Sequence, residues 1–195
     1  MSQLAKNVWR MENVELIGLA KNRFLDEATQ VKIAEHPYRR AKQYLAENAG
    51  LCQKALAHLW SLRGYSLKAD LLSFGHFAGQ DEFYHELYDD YATQMRQRSP
   101  WRLHRAFVGG HGYNAAGYGP LTGPRATPPE ILEDIYQKDV MGRLDLKNES
   151  WSQRTTLRAL LANPNLPTDI IVKVSASHAD PGVRNLALKR LGTLK

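Results

Sequence analysis

Glu82-Phe83-Tyr84-His85 sets a carboxylate and an imidazole three residues apart. On a helix that spacing turns both toward one face, as in di-iron bundles. Such centres need two of these motifs and further glutamates. This chain carries one, with Tyr and Asp for neighbours. His76, His104 and His111 fall near the ends of helical segments, but no His or Cys pair has the spacing of a zinc site. No nucleophile elbow is present. The single cysteine, Cys52, excludes an intrachain disulfide and a Cys-rich metal site. Its helical spacing with Leu51, Ala55 and Leu56 makes it a small buried apolar residue. The residues therefore predict no catalytic set, no metal and no cofactor.

The most unusual local composition is Gly109-Gly110-His111-Gly112-Tyr113-Asn114-Ala115-Ala116-Gly117-Tyr118-Gly119-Pro120, within a loop that runs to Ala126. Glycines can present backbone amides to a phosphate. No strand precedes these and no Gly-Lys-Ser/Thr follows, so the segment is not a P-loop. Tyr113, Asn114 and Tyr118 among glycines make an adaptable binding loop, or the segment is a passive linker. The other candidates for contact are cations: Arg39, Arg40, Lys42, Arg102, Arg105 and Arg158.

Helical segments must position all of these. Apolar runs of helical period end at Asn22, Asn48, Gly75, Gly110 and Asn163, residues that tolerate the left-handed conformation of a helix C-cap. The stretch Leu160–Asn163, Leu166 and Ile171–Val174 echoes Leu19–Asn22, Leu25 and Gln30–Ile33. Self-similarity of this kind, with copies between, marks a stacked repeat. Inner helices are expected at about 10–21, 37–48, 65–75, 99–110, 150–163 and 180–192. Outer helices are expected at about 26–36, 50–62, 80–98, 128–140 and 167–178. Pro37, Pro100 and Pro181 open inner helices, where a missing N–H costs nothing. Asp26-Glu27, Asp81-Glu82, Glu130 and Asp169 open outer ones, with acids at the positive dipole end. No alternating strand pattern appears, so the prediction is an all-α chain. Residues 1–195 form a single right-handed α-solenoid of about five to six helical pairs, with an insertion at 109–126.

Asn163-Pro164-Asn165-Leu166-Pro167, Ile170-Ile171 and Asp180-Pro181-Gly182-Val183-Arg184-Asn185-Leu186-Ala187 together resemble the bacterial variant leucine-rich repeat, a relative in style of HEAT repeats. The match is close over 160–192, looser over 15–60, where His36-Pro37 stands in for Asp-Pro, and weak over 65–150. Well-known members carry a four-cysteine iron–sulfur region; nothing here matches it. The resemblance implies an α-solenoid and a bacterial source, and it implies no reaction.

Sorted by layer, the inner helices are basic and the outer ones carry the acids, most densely at Asp81, Glu82, Glu86, Asp89 and Asp90. Inner helices of such stacks commonly line a concave face. Arg184 is expected in a structural ladder to a neighbouring repeat. Arg39, Arg40 and Arg105 add charge beyond the repeat pattern and are the better contacts. The net charge of +6 suits an acidic protein surface or nucleic acid. The N-terminus has no apolar leader and no segment is long enough to span a membrane, which predicts a cytoplasmic chain. The expected function is non-enzymatic: an interaction module that binds another protein as adaptor or inhibitor. The alternative is nucleic-acid binding through a basic concave face. A reading as a HEAT-like alkylpurine glycosylase finds no residue-by-residue support. The long acidic helix at 80–98 and the glycine-tyrosine loop depart most from the regular pattern, and function is expected there.

Overall fold

The computed structural model describes residues 2–95, 106–109, 123–143 and 151–193. Every regular element among them is helical. In order these are α1 (Gln3–Asn7) with a tight turn at Val8–Arg10, α2 (Asn13–Ala20), α3 (Glu27–Glu35), α4 (Arg39–Ala46), α5 (Gln53–Ser61), α6 (Tyr65–Ser73) and α7 (Asp81–Asp90). A wide helical turn, Tyr91–Met95, prolongs α7. Then come α8 (Pro129–Ile135), continued through Tyr136–Val140, and α9 (Trp151–Ala162), α10 (Thr168–Ser177) and α11 (Pro181–Thr193). Residues 106–108 are helical, and Gly123–Ala126, inside the expected loop, forms a tight helical turn against α6.

Two layers are laid down in alternation. α1 packs on α3 and α3 on α5, while α2 packs on α4 and α4 on α6. Further along, α9 packs on Tyr136–Val140 and on α11, and α10 packs on α11. The core runs between the layers through Leu16, Ile33, Leu45, Leu59, Leu71, Leu87, Phe107 and Ile131, all fully buried. Each such side chain contributes about 1.5–3 kcal/mol of transfer free energy. α4 shows how sequence selects the face: Ala41, Leu45 and Ala46 are buried at helical spacing, and Arg39 and Arg40 are left to solvent.

The helix ends differ from expectation. Among the described residues no non-glycine has positive φ, so Asn22, Asn48 and Asn163 are not left-handed caps. Their side chains act instead. The Oδ1 atoms accept the N–H two residues on, from Phe24 at 2.9 Å, Gly50 at 3.0 Å and Asn165 at 3.0 Å. The amide of Asn48 also donates to the Asn22 carbonyl at 2.8 Å, and that of Asn163 to the Phe107 carbonyl at 3.3 Å. A buried carbonyl left by a helix end thus finds a donor from the next turn along. Gly75 does take the left-handed conformation, at φ 79°. Gly110 lies outside the described residues, but its neighbour Gly109 has φ 83°.

Buried Gln30 ties a second point of the same junction. Its amide donates to the Leu25 and Gly50 carbonyls, each at 3.0 Å, and its oxygen accepts the Cys52 N–H at 2.7 Å. Cys52 is half-buried against the core. Trp60 lies 4.7 Å from the Phe77 ring and 5.1 Å from Phe83, and its indole N–H donates to Glu86 at 3.0 Å. Lys68 meets the same carboxylate at 2.6 Å and lies over the indole, which joins α5, α6 and α7.

Candidate functional site

Three expected contact residues share one helix. Arg39 and Arg40 occupy the first turn of α4 and Lys42 its second. Arg39 Nη2 donates to Ser66 Oγ on α6, which holds the guanidinium across the seam between two stacked helices. No carboxylate among the described residues pairs with Arg39, Arg40 or Lys42. The placement is electrostatically adverse. A helix N-terminus carries partial positive charge, and a cation there is opposed by about 0.3–1 kcal/mol. Here α4 has two arginines and no acid in its first turn.

The turn into α4 shields part of this patch. His36 Nδ1 accepts the Tyr38 N–H at 3.1 Å, and the ring lies 5.0 Å from Trp9. Burial, and then the charge of Lys42, hold the His36 pKa below the ordinary histidine value. Burial lowers the Lys42 pKa as well. His178 makes the same bond to the Asp180 N–H at 3.1 Å before α11. The hydrogen bonds therefore match His36 to His178, whereas the sequence pattern set His36-Pro37 against Asp180-Pro181.

Arg158 sits on α9, apart from the α4 group, in the field of Asp180. Arg154 Nε is 3.7 Å from the same carboxylate. Asp180 Oδ1 accepts the Gly182 N–H at 2.7 Å as the cap of α11, and that bond first, with the two arginines contributing, keeps its carboxyl below the usual range. Arg184 does not reach a neighbouring unit: its Nη1 donates to the His178 and Ala179 carbonyls, at 2.5 and 3.0 Å, just before its own helix. Arg190, which sequence reasoning passed over, spans instead to the Leu161 carbonyl at 2.6 Å. Arg102, Arg105, Tyr113, Asn114 and Tyr118 lie outside the described residues.

α7 leaves Asp81, Glu82 and Asp89 exposed and makes its junctions through His85, Glu86 and Tyr88. His85 Nε2 lies 3.1 Å from Glu130, and Tyr88 donates to Asp134 at 2.6 Å. Buried Tyr91 donates to Asp139 at 3.0 Å, and Glu86 takes Trp60 and Lys68. His85 thus serves contact between α7 and α8, while Glu82 is exposed. Among the described residues no group of three or more His, Cys, Asp or Glu side chains is placed to hold a metal ion, and no helix is long and apolar enough to cross a membrane. Sequence spacing could have found the α7–α8 contacts only with the pairing of those helices already known. Comparison of the chain with protein-family models, with curated proteins and with solved structures finds no match.

Proposed function

We propose that the chain is a right-handed α-solenoid of about five to six HEAT-like helical pairs that binds another protein through its inner layer, as adaptor or inhibitor, and catalyses no reaction. The observation that carries this reading is the charge at the start of α4. Arg39 and Arg40 stand exposed at the positive end of a helix, with no carboxylate partner among the described residues. A partner's acidic side chains would remove that cost, and arginine is the cation most often found at the energetic centre of interfaces. Lys42 and Arg158 extend the surface, with Arg102, Arg105 and the Tyr113, Asn114 and Tyr118 loop as further elements. The recurring bonds at Asn22, Asn48 and Asn163 support the solenoid, since each repeats one junction. Many described polar side chains of the catalytic types serve as caps and junctions: Asp26, Gln30, Asn48, His76 and Asp180 are examples.

Nucleic acid is the second reading, favoured by the same unpaired cations. Among the described residues Tyr38 packs on the core and Lys21 covers the Tyr44 ring at 4.3 Å, which leaves exposed Trp9, 5.0 Å from the His36 ring, as the aromatic nearest to them. Single-strand binders use exposed aromatics as stacking platforms. Gel shifts with duplex and single-stranded DNA at rising salt separate the readings. Binding that falls steeply with salt would establish nucleic acid as ligand. No shift at low salt, with protein recovered by an immobilised wild-type chain and not by an Arg39→Glu/Arg40→Glu variant, supports the first.

A further inference from the structure

Two histidines hold turns through the same nitrogen. His36 follows α3 as its C-cap and His178 follows α10, both with extended backbone. In each the Nδ1 atom accepts the N–H two residues on, from Tyr38 and from Asp180, both at 3.1 Å. A backbone N–H can only donate, so Nδ1 is the bare nitrogen and the ring proton sits on Nε2. The bond therefore belongs to the neutral ring. Protonation sets a second N–H against the one that donates.

The two turns differ in what else holds them. Asp180 caps α11 itself, with Oδ1 taking the Gly182 N–H at 2.7 Å and the Val183 N–H at 3.3 Å. α4 has no such cap: Tyr38 stands at its N-cap and makes no side-chain bond to the helix. Among the described residues the entry to α4 is held by the His36 bond, the packing of Tyr38 on the core and the bond from Arg39 to Ser66. Pro37 helps to set the turn, because the residue before a proline is confined to extended backbone.

The charges around His36 oppose an imidazolium. α4 brings Arg39, Arg40 and Lys42, and α1 with its following turn brings Lys6 and Arg10. Lys32 and Glu35 of α3 pair with each other at 2.7 Å. Asp26 and Glu27 lie at the opposite end of α3, where Glu27 pairs with Lys54 of α5. α5 also carries His58, and Glu12 and Glu15 serve the capping box of α2. No carboxylate among the described residues pairs with the His36 ring. Burial first, and then Lys42, hold its pKa below the ordinary 6.5, so the neutral ring prevails at neutral pH.

We propose that His36 is a proton-operated latch: the neutral ring fixes the turn from α3 into α4, and a proton on Nδ1 releases Tyr38 and the start of that helix. Arg39 and Arg40 ride on the released turn, so the position of these cations is tied to pH. The latch rests on the geometry of the turn and not on the partner-binding reading above, and its test needs no partner.

That test is nuclear magnetic resonance of the isotope-labelled chain, titrated from about pH 8 to about pH 5, where histidine changes charge. Ring nitrogen shifts should place the His36 proton on Nε2 at the upper end. As the ring titrates, protection of the Tyr38 amide against exchange should fall about tenfold with the same midpoint. The Gly182 amide should keep its protection, because Asp180 caps it with a carboxyl whose pKa lies below the usual range. His36→Asn should hold Tyr38 across the whole interval: the Oδ1 atoms of Asn22, Asn48 and Asn163 already take the N–H two residues on, and an amide has no proton to gain. His36→Leu should leave Tyr38 unprotected throughout. A ring proton on Nδ1 at neutral pH would overturn the proposal, as would Tyr38 protection that stays constant while His36 titrates. So would an asparagine variant that loses protection in step with wild type. If His36→Asn does not fold, agreement or disagreement of the two wild-type midpoints decides alone.

Discussion

Asn48→Ala probes the junction between stacked turns. Asn48 is 3% exposed and makes two bonds: its amide to the Asn22 carbonyl at 2.8 Å and its oxygen to the Gly50 N–H at 3.0 Å. Alanine removes both and leaves a carbonyl and an N–H in a closely packed turn. A neutral hydrogen bond contributes about 1 kcal/mol net, and a buried group left without its partner costs about 1–3 kcal/mol. The sum, with overlap between the two terms, is about 2–4 kcal/mol. For a chain of this size each kcal/mol moves Tm by about 2–4 °C, so a drop of roughly 4–16 °C is expected. Asn22→Ala is the internal control. It loses the bond to Phe24 N–H, but Asn22 is exposed and water replaces that bond, so the cost stays below about 1 kcal/mol. Urea unfolding by far-ultraviolet circular dichroism, checked by calorimetry, measures both. Asn48→Asp should be at least as damaging as Asn48→Ala, because it keeps the acceptor but sets a carboxylate against the Asn22 carbonyl. If the two alanine variants differ by less than about 0.5 kcal/mol, the amide does not tie the turns and the reasoning fails.

Further outcomes follow from other junctions. His36 and His76 both have pKa values below 6.5, through burial first in each case, so the unfolded chain binds more protons just below that pH. Their contribution is therefore complete above about pH 6.5 and is lost as pH falls through the lowered folded values; urea midpoints at pH 7.5 and 5 should show the decline, and a His36→Gln/His76→Gln variant should flatten it. Gly18 and Gly64 should respond to alanine with opposite signs. An added Cβ meets nothing within 4 Å at either, but Gly18 is an exposed helix residue and Gly64 has φ 135°. Gly18→Ala should stabilise by about 0.5–1 kcal/mol and Gly64→Ala destabilise by about 1–3 kcal/mol in thermal melts. Tyr91→Phe removes the fully buried hydroxyl that donates to Asp139 and should cost about 1–3 kcal/mol by urea unfolding, with no loss of helix content at 25 °C.

Much of the helical order was legible because local chemistry encodes it. The inner and outer segments at 37–48, 65–75, 128–140 and 167–178 correspond to α4, α6, α8 with its continuation, and α10, each with its apolar face inward. α1 was not foreseen: it is five residues long, and its cap is Ser2 Oγ, which also bonds Asp26 and Thr29 of the next outer-layer turn. The asparagines marked helix ends correctly, but composition alone does not distinguish a left-handed cap from a side-chain bond to the following N–H. The acids of α7 illustrate the converse limit. They include Glu86, which belongs to the Trp60 and Lys68 cluster; that cluster is defined by α5, α6 and α7 converging, and no spacing along one helix reports it. At the candidate surface, sequence singled out Arg39 and Arg40 as charge beyond the repeat pattern. What it lacked was the two-residue later start of α4, set by the extended backbone at Tyr38, and the bond from Arg39 to Ser66 of α6.

The most direct test of partner binding through the inner layer is quantitative affinity capture at physiological salt with the wild-type chain and with Arg39→Glu/Arg40→Glu, each with and without nuclease. Binding of another protein through α4 predicts that a defined protein is recovered by wild type, lost with the variant and unaffected by nuclease. Equal recovery on both chains, or recovery abolished by nuclease, would contradict it.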